Sequence, residues 1–246
     1  MASPLIANTT SAILLDIEGT TTPVDFVYRT LFPYARSRVR EYLSANFLSS
    51  QAEISALIEE NAHDKRQGFD PPSLVGSSRQ VSIDGVVAYV HWLMDRDRKS
   101  TPLKSLQGKI WEEGYLKGEL RGQVFEDVPP AFQRWRNQGR IILIYSSGSV
   151  LAQKLLFAHT ESGDLTSLID GYFDTTIGAK KEIESYRRIM QTMKLQPTET
   201  LFVSDITSEL DAAADAGLET LLCSRPGNVE AEAGTRRVIN SFDEIF

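Results

Sequence analysis

Asp16 and Glu18 lie two residues apart and lead straight into Gly19 and Thr20. Two carboxylates so spaced suit a reaction in which one attacks and the other moves protons. Three later clusters carry complementary chemistry. Ser146-Ser147-Gly148-Ser149 sets small hydroxyls beside a glycine and a helix start, a natural phosphate seat where hydroxyls and free amides donate together. Ser149 reads equally well as a plain helix N-cap. Lys180 and Lys181 are adjacent; one of them can be a fixed positive charge for phosphate oxygens and for a nucleophile, the other being solvated. Asp205, facing Asp16, would complete a hard oxygen site suited to Mg²⁺. Glu209, four residues on, can be a first-turn acid at a helix's positive end, an outer support for that site, or a direct ligand.

These groups need a scaffold that delivers them to one place, and the apolar pattern supplies one. Asp16 follows directly on Ala12-Ile13-Leu14-Leu15, a short run that reads as a buried parallel strand ending at a polar turn. Ile141 to Tyr145 precedes the serines as a second strand, Tyr172-Phe173 opens a short third, and Leu201-Phe202-Val203 precedes Ser204-Asp205. Helices are expected over Val150 to Phe157, Ile183 to Met193 and Leu210 to Ala216, with Gly217 as a cap and Thr220 to Cys223 as a last strand. Right-handed crossovers place all these strand ends on one edge of the sheet. Between Asp25 and about Leu120 the pattern is helical instead, with four apolar-periodic segments and a loop at Gly68 to Pro72. The expected fold is α/β. A Rossmann-like parallel sheet core covers residues 1–24 and 122–246, and an all-helical insertion covers 25–121.

Composition narrows the partners. The 246 residues are 41% hydrophobic and 24% charged, enough apolar material for a substantial core. Lysine and arginine total 26 against 33 acids, a net charge of −7, with no basic block, so nucleic acid and anionic membrane are poor partners. Cys223 is the only cysteine, which excludes an internal disulfide and a cysteine-rich zinc site and reads as a small buried hydrophobe. The N-terminus has no basic segment ahead of its apolar run, so no signal peptide is expected, and the chain reads as an intracellular protein. Phe26, Trp92 and Trp111, like His63, His91 and His159, are read as packing or surface residues.

Asp, Ser, Lys and Asp at successive strand ends are far more specific together than any one alone, and the core resembles the haloacid dehalogenase superfamily of aspartate-nucleophile phosphatases. Asp-Ile-Glu-Gly-Thr-Thr-Thr-Pro from Asp16, the Tyr-Ser-Ser-Gly-Ser-Val segment from Tyr145 through Lys154 to Phe157, and Arg225-Pro226-Gly227-Asn228 resemble its enolase-phosphatases over nearly the whole length. The resemblance implies that 2,3-diketo-5-methylthiopentyl-1-phosphate is enolised and then dephosphorylated in methionine salvage. It implies Asp16 as nucleophile and Glu18, where an aspartate is usual, as acid and base. Mg²⁺ would be held by Asp16, the Glu18 carbonyl and Asp205. Phosphate would be seated by Ser146, Ser147 and Lys180, the lysine at the family's spacing before Glu184-Ser185-Tyr186. The insertion would be a mobile cap. The resemblance also implies a cytoplasmic or nuclear monomer acting on a phosphorylated small molecule.

Two rival enzymes share the core, a general small-molecule phosphatase and a phosphomutase, each without the enolisation. A signalling receiver would place its phosphorylated aspartate on an internal strand rather than on the first. A catalytically dead binding protein would not need every charged site group.

Overall fold

The computed structural model describes residues 10–74, 79–228 and 233–246. The expectation about a signal segment falls partly on residues 1–9, outside the described residues. The chain divides into two compact units, one from Met1–Val27 with Leu120–Phe246 and the other from Tyr28–Glu119.

In the first unit, β1 (Ala12–Leu15) is followed by the single helical turn α1 (Val24–Phe26) and a π-helical turn, Val27–Leu31, which runs across the unit boundary. The second unit holds α2 (Phe32–Ala45), α3 (Gln51–Arg66), α4 (Arg79–Met94) and α5 (Thr101–Leu116). The first unit resumes with α6 (Val128–Asn137), β2 (Ile141–Tyr145), α7 (Val150–Ala158) and β3 (Gly171–Phe173). It ends with α8 (Ile183–Met193), β4 (Thr200–Ser204), α9 (Thr207–Asp215), β5 (Glu219–Cys223) and β6 (Val238–Ile239).

The six strands form one parallel sheet in the order β3-β2-β1-β4-β5-β6. Consecutive strands run outward from β1 to β3, and the chain then returns to lay β4 against the other side of β1. That reversal is the switch point at which open α/β sheets bind ligands. Every residue of β1 and β4 is buried, as a strand covered on both faces requires. Leu14, Leu143 and Phe202 pair in register and point to one face, where they pack with Tyr186, Ile189 and Met190 of α8 and Leu210 and Ala213 of α9. The Phe132, Trp135, Phe157 and Phe242 rings form a second cluster that involves α6 and α7.

Two elements go beyond the sequence-based expectation. The sequence-based reading assigns no helix over α6, whose first turn holds Pro129 and Pro130. There the missing N–H groups have no helical acceptor to serve. Val128, Ala131, Phe132 and Trp135 then bury an i, i+3, i+4, i+7 stripe. The sheet also continues past Cys223, because β6 pairs with β5; two residues are too few for alternation to register in a sequence.

The helical unit has its own core, with Val39, Leu43, Leu57, Val90 and Leu106 fully buried. Asp64 is buried within it and accepts hydrogen bonds from the Tyr89 hydroxyl at 2.7 Å and from Arg98 Nη2 at 2.7 Å. Trp92 and Trp111 are buried, and Trp111 Nε1 donates to the Leu31 carbonyl at 2.8 Å. His91 packs its ring nitrogen on the Arg36 carbonyl, and His159 on that of Leu155. Phe26 is buried in the first unit. No helix among the described residues is long and apolar enough to cross a membrane.

Candidate active site

The register of the sheet sets the site. Leu15 pairs with Ile144 on β2 and with Val203 on β4, so the chain leaves β1 level with Tyr145-Ser146 on one side and Ser204-Asp205 on the other. The Asp16 N–H still reaches the Val203 carbonyl, at 3.0 Å. The backbone then coils into a tight turn. The amides of Thr20, Thr21 and Thr22 all point at the Ile17 carbonyl, and Gly19 N–H reaches the Thr22 carbonyl at 2.8 Å. Gly19 sits at φ +70°, in the left-handed region. Its lack of a Cβ matters twice, because a Cβ there would lie 2.3 Å from Asp205 Oδ2. The glycine lets the turn after β1 close directly onto the acid at the end of β4.

Asp16 is buried and its carboxylate is fixed from several sides. Oδ1 accepts from the Ile17 N–H at 2.7 Å and from Lys180 Nζ at 2.6 Å, and Ser204 Oγ lies 3.1 Å from Oδ2. Lys180 is buried and bridges to Glu209 Oε2, also at 2.6 Å. Ser204 Oγ lies 3.1 Å from Glu209 as well, but its single proton serves one carboxylate at a time. The structure thus joins Asp16, Lys180 and Glu209 in one buried charge cluster at the ends of β1 and β4. Of the two adjacent lysines, Lys181 is exposed.

The loop that carries Lys180 is clamped. Tyr186 OH donates to the Lys180 carbonyl at 2.7 Å, Ser185 Oγ to that of Ala179 at 2.7 Å, and Tyr145 OH to that of Gly178 at 2.8 Å. These partners hold a long, flexible side chain's base in place, so its ammonium arrives at Asp16 with little freedom left to lose.

Burial works against so many acids. Three carboxylates, Asp16, Asp205 and Glu209, face one ammonium, a formal balance of 1 − 3 = −2. Burial, followed by repulsion from Asp16, pushes the Asp205 carboxyl up to about 7. The same two causes push Glu209 up to about 7 against the pull of Lys180. For Lys180 burial alone would lower the ammonium, but Asp16 and Glu209 outweigh it and hold it above the ordinary lysine range. Asp205 Oδ1 is buried and has no hydrogen-bond partner. An orphaned buried carboxylate oxygen beside a surplus of two negative charges is the donor set a divalent cation fits. Among the described residues, no three His, Cys, Asp or Glu side chains group as a cage for a metal. A hard, oxygen-only donor set of this kind suits Mg²⁺.

The serines lie at the end of β2. Ser146 is buried, its amide bonded to the Phe173 carbonyl at 3.1 Å and its Oγ accepting from the Gly148 N–H at 3.1 Å. Ser147 is exposed. Ser149 caps α7, accepting from the Ala152 N–H at 3.3 Å. Buried Gln153 supports the turn from below, its Nε2 donating to the carbonyls of Gly148 at 2.9 Å and Phe173 at 2.8 Å. Glu18 is half-buried on the turn after β1.

Sequence reasoning passed over two contributors. Ser204 reads only as the last strand residue, and Asn228 only as part of a loop motif. Nothing in one sequence signals that Asn228 Nδ2 donates to the Gly19 carbonyl at 2.8 Å and to Asp205 Oδ2 at 3.3 Å. Cys223 is buried and its thiol is pushed up to about 12, chiefly by burial, which fits an inert core residue.

The model of the haloacid dehalogenase-like hydrolase family matches residues 10–217. The enolase-phosphatase E1 of Synechococcus elongatus is 51% identical over 237 residues, covering 96% of this chain and 97% of its own. The Danio rerio protein of that name is 43% identical, covering 100% and 98%. The crystal structure of the UTR4 protein from Saccharomyces cerevisiae superposes with a TM-score of 0.76 at 34% identity, covering 95% of this chain and 99% of that one.

Proposed function

The chain belongs to the haloacid dehalogenase-like hydrolases, and from that we propose an enolase-phosphatase in which Asp16 is the nucleophile and Asp205 its partner in metal binding. The overall reaction is enolisation of 2,3-diketo-5-methylthiopentyl-1-phosphate followed by hydrolysis to the acireductone and phosphate, a step of methionine salvage. The observation that carries this reading is the buried cluster in which Asp16, directly after β1, meets Lys180 and Glu209, with the orphaned oxygen of Asp205 at the end of β4.

Asp16, the Glu18 carbonyl and Asp205 would hold Mg²⁺. Held there, Mg²⁺ would supply Lewis-acid chemistry, offsetting phosphoryl charge and polarising a substrate oxygen. A carboxylate oxygen of Asp16 attacks phosphorus, and the bond from phosphorus to the substrate oxygen breaks. Glu18 gives that oxygen its proton, then takes one from the water that attacks the aspartyl-phosphate, releasing phosphate and restoring Asp16. Lys180, already ion-paired with Asp16, holds positive charge where the phosphoryl oxygens arrive, and Ser146 and Ser147 donate to the same oxygens. Glu209 keeps the Lys180 ammonium over Asp16 rather than binding the metal. In this reading the helical insertion is the cap that selects the methylthio tail, and the protein works as a monomer in the cytoplasm or nucleus.

With Mg²⁺, the purified protein should release phosphate from the diketone phosphate and show a transient enol absorbance. Phosphate release with no enol signal at any time would select the plain phosphatase instead.

The acids also set a stability profile. For protein stripped of divalent ions, Asp205 and Glu209 have folded values near 7 against ordinary values of 3.8 and 4.5. A raised folded value means the native state binds more protons than the unfolded chain across that window. Stability is therefore full below about 4 for these groups and falls as pH rises through about 7. The chelated protein should melt several degrees lower at pH 8 than at pH 5.5, by order of magnitude, and Mg²⁺ should close most of that gap. A flat melting temperature between those pH values would show that the two acids are not held protonated.

A further inference from the structure

We infer that Asn228 is a positioning residue that sets the Asp205 carboxylate for a divalent ion. The inference rests on the metal site proposed above and adds a residue to it. The Asn228 amide has two N–H groups, and the structure uses both: one reaches the Gly19 carbonyl at 2.8 Å, the other Asp205 Oδ2 at 3.3 Å. The flipped amide would set its oxygen against two acceptors, so the donor orientation is fixed by its surroundings. With Oδ2 taken by Asn228, the orphaned Oδ1 is the oxygen left to face a cation. Outer groups that orient a ligating carboxylate in this way govern metal affinity almost as strongly as the ligands do.

The turn carrying Asn228 is itself anchored. Asn228 N–H bonds the Arg225 carbonyl at 3.1 Å. The buried Arg225 guanidinium donates to the Thr20 carbonyl at 3.1 Å, to Asp127 at 2.8 Å and to the Asn240 carbonyl at 3.0 Å. Its guanidinium carbon lies 4.5 Å from the Phe125 ring centre and 4.7 Å from that of Phe242. One turn therefore grips the carbonyls of both Gly19 and Thr20 and, through Asn228, also holds the acid at the end of β4. Asn228 ties the nucleophile turn to Asp205 with one planar amide, which fixes the spacing of the two halves of the metal site.

Titration of Mg²⁺ into chelator-stripped protein by calorimetry tests this. Asn228→Ala should raise the Mg²⁺ dissociation constant by about 10- to 100-fold, with a native far-UV spectrum. A merely structural role would lower the melting temperature and leave the affinity of the folded protein unchanged, and a dissociation constant within twofold of the parent overturns the inference. The same titration on Asn228→Ser covers the case in which the alanine variant does not fold. A parent protein that binds no Mg²⁺ at all would overturn the metal site itself, an outcome distinct from parent and variant binding it equally.

Discussion

Asp16→Asn should reduce phosphate release by four orders of magnitude or more, on the order of what removing a covalent nucleophile costs other hydrolases. The amide has nearly the volume of the carboxylate, so the strand end and its turn can keep their shape, but its oxygen is a poor nucleophile toward phosphorus. The change also removes a negative charge from a buried cluster that carries three carboxylates against one ammonium. The variant should therefore fold normally, and loss of activity will not be a stability artefact. Because enolisation precedes attack on phosphorus, the variant supplied with the diketone phosphate should accumulate the enol, read by its absorbance. Full turnover by Asp16→Asn would remove the nucleophile from the account.

Lys180→Met should produce the second large effect, and on two readouts at once. The ammonium lies 2.6 Å from both Asp16 Oδ1 and Glu209 Oε2 and is buried with them. Removing one partner of a buried pair leaves uncompensated charge and costs about 3–5 kcal/mol. The acids will take up protons to relieve part of that, so the loss in melting temperature should be greater at pH 8 than at pH 5.5. Loss of the fixed positive charge at the phosphoryl group should lower kcat by about 10²- to 10³-fold. Lys181→Met is the matched control. Its side chain is exposed, and neither stability nor rate should change appreciably. Equal effects from the two substitutions would show that Lys180 acts only as general positive charge.

The strand ends were legible because the chemistry there follows a simple rule. A buried parallel strand is apolar through its middle, so the polar residues that follow it, Asp16, Ser146 and Ser204-Asp205, stand out by position. What a sequence cannot express is which way a side chain turns once the strand has ended. Glu209 could be read as a ligand, a support or a helix-end acid, and only its contacts with Lys180 and Ser204 separate these roles. Asn228 lies 23 residues beyond Asp205 and 209 beyond Gly19, so its contacts depend on tertiary closure of the whole sheet rather than on local pattern. The helix α6 was hidden for a different reason. Two prolines dominate its local signal, although their place in the first turn makes them compatible with a helix.

The proposed reaction requires a divalent ion shared by groups at the ends of β1 and β4. Replacing Mg²⁺ with Mn²⁺ in crystals and locating the ion by anomalous scattering tests it most directly. A single peak within coordination distance, about 2.0–2.3 Å, of an Asp16 carboxylate oxygen, the Glu18 carbonyl and Asp205 Oδ1 is the predicted result. A peak on Glu209 and away from Asp205, or an ion that touches only one of the two strand ends, would contradict it.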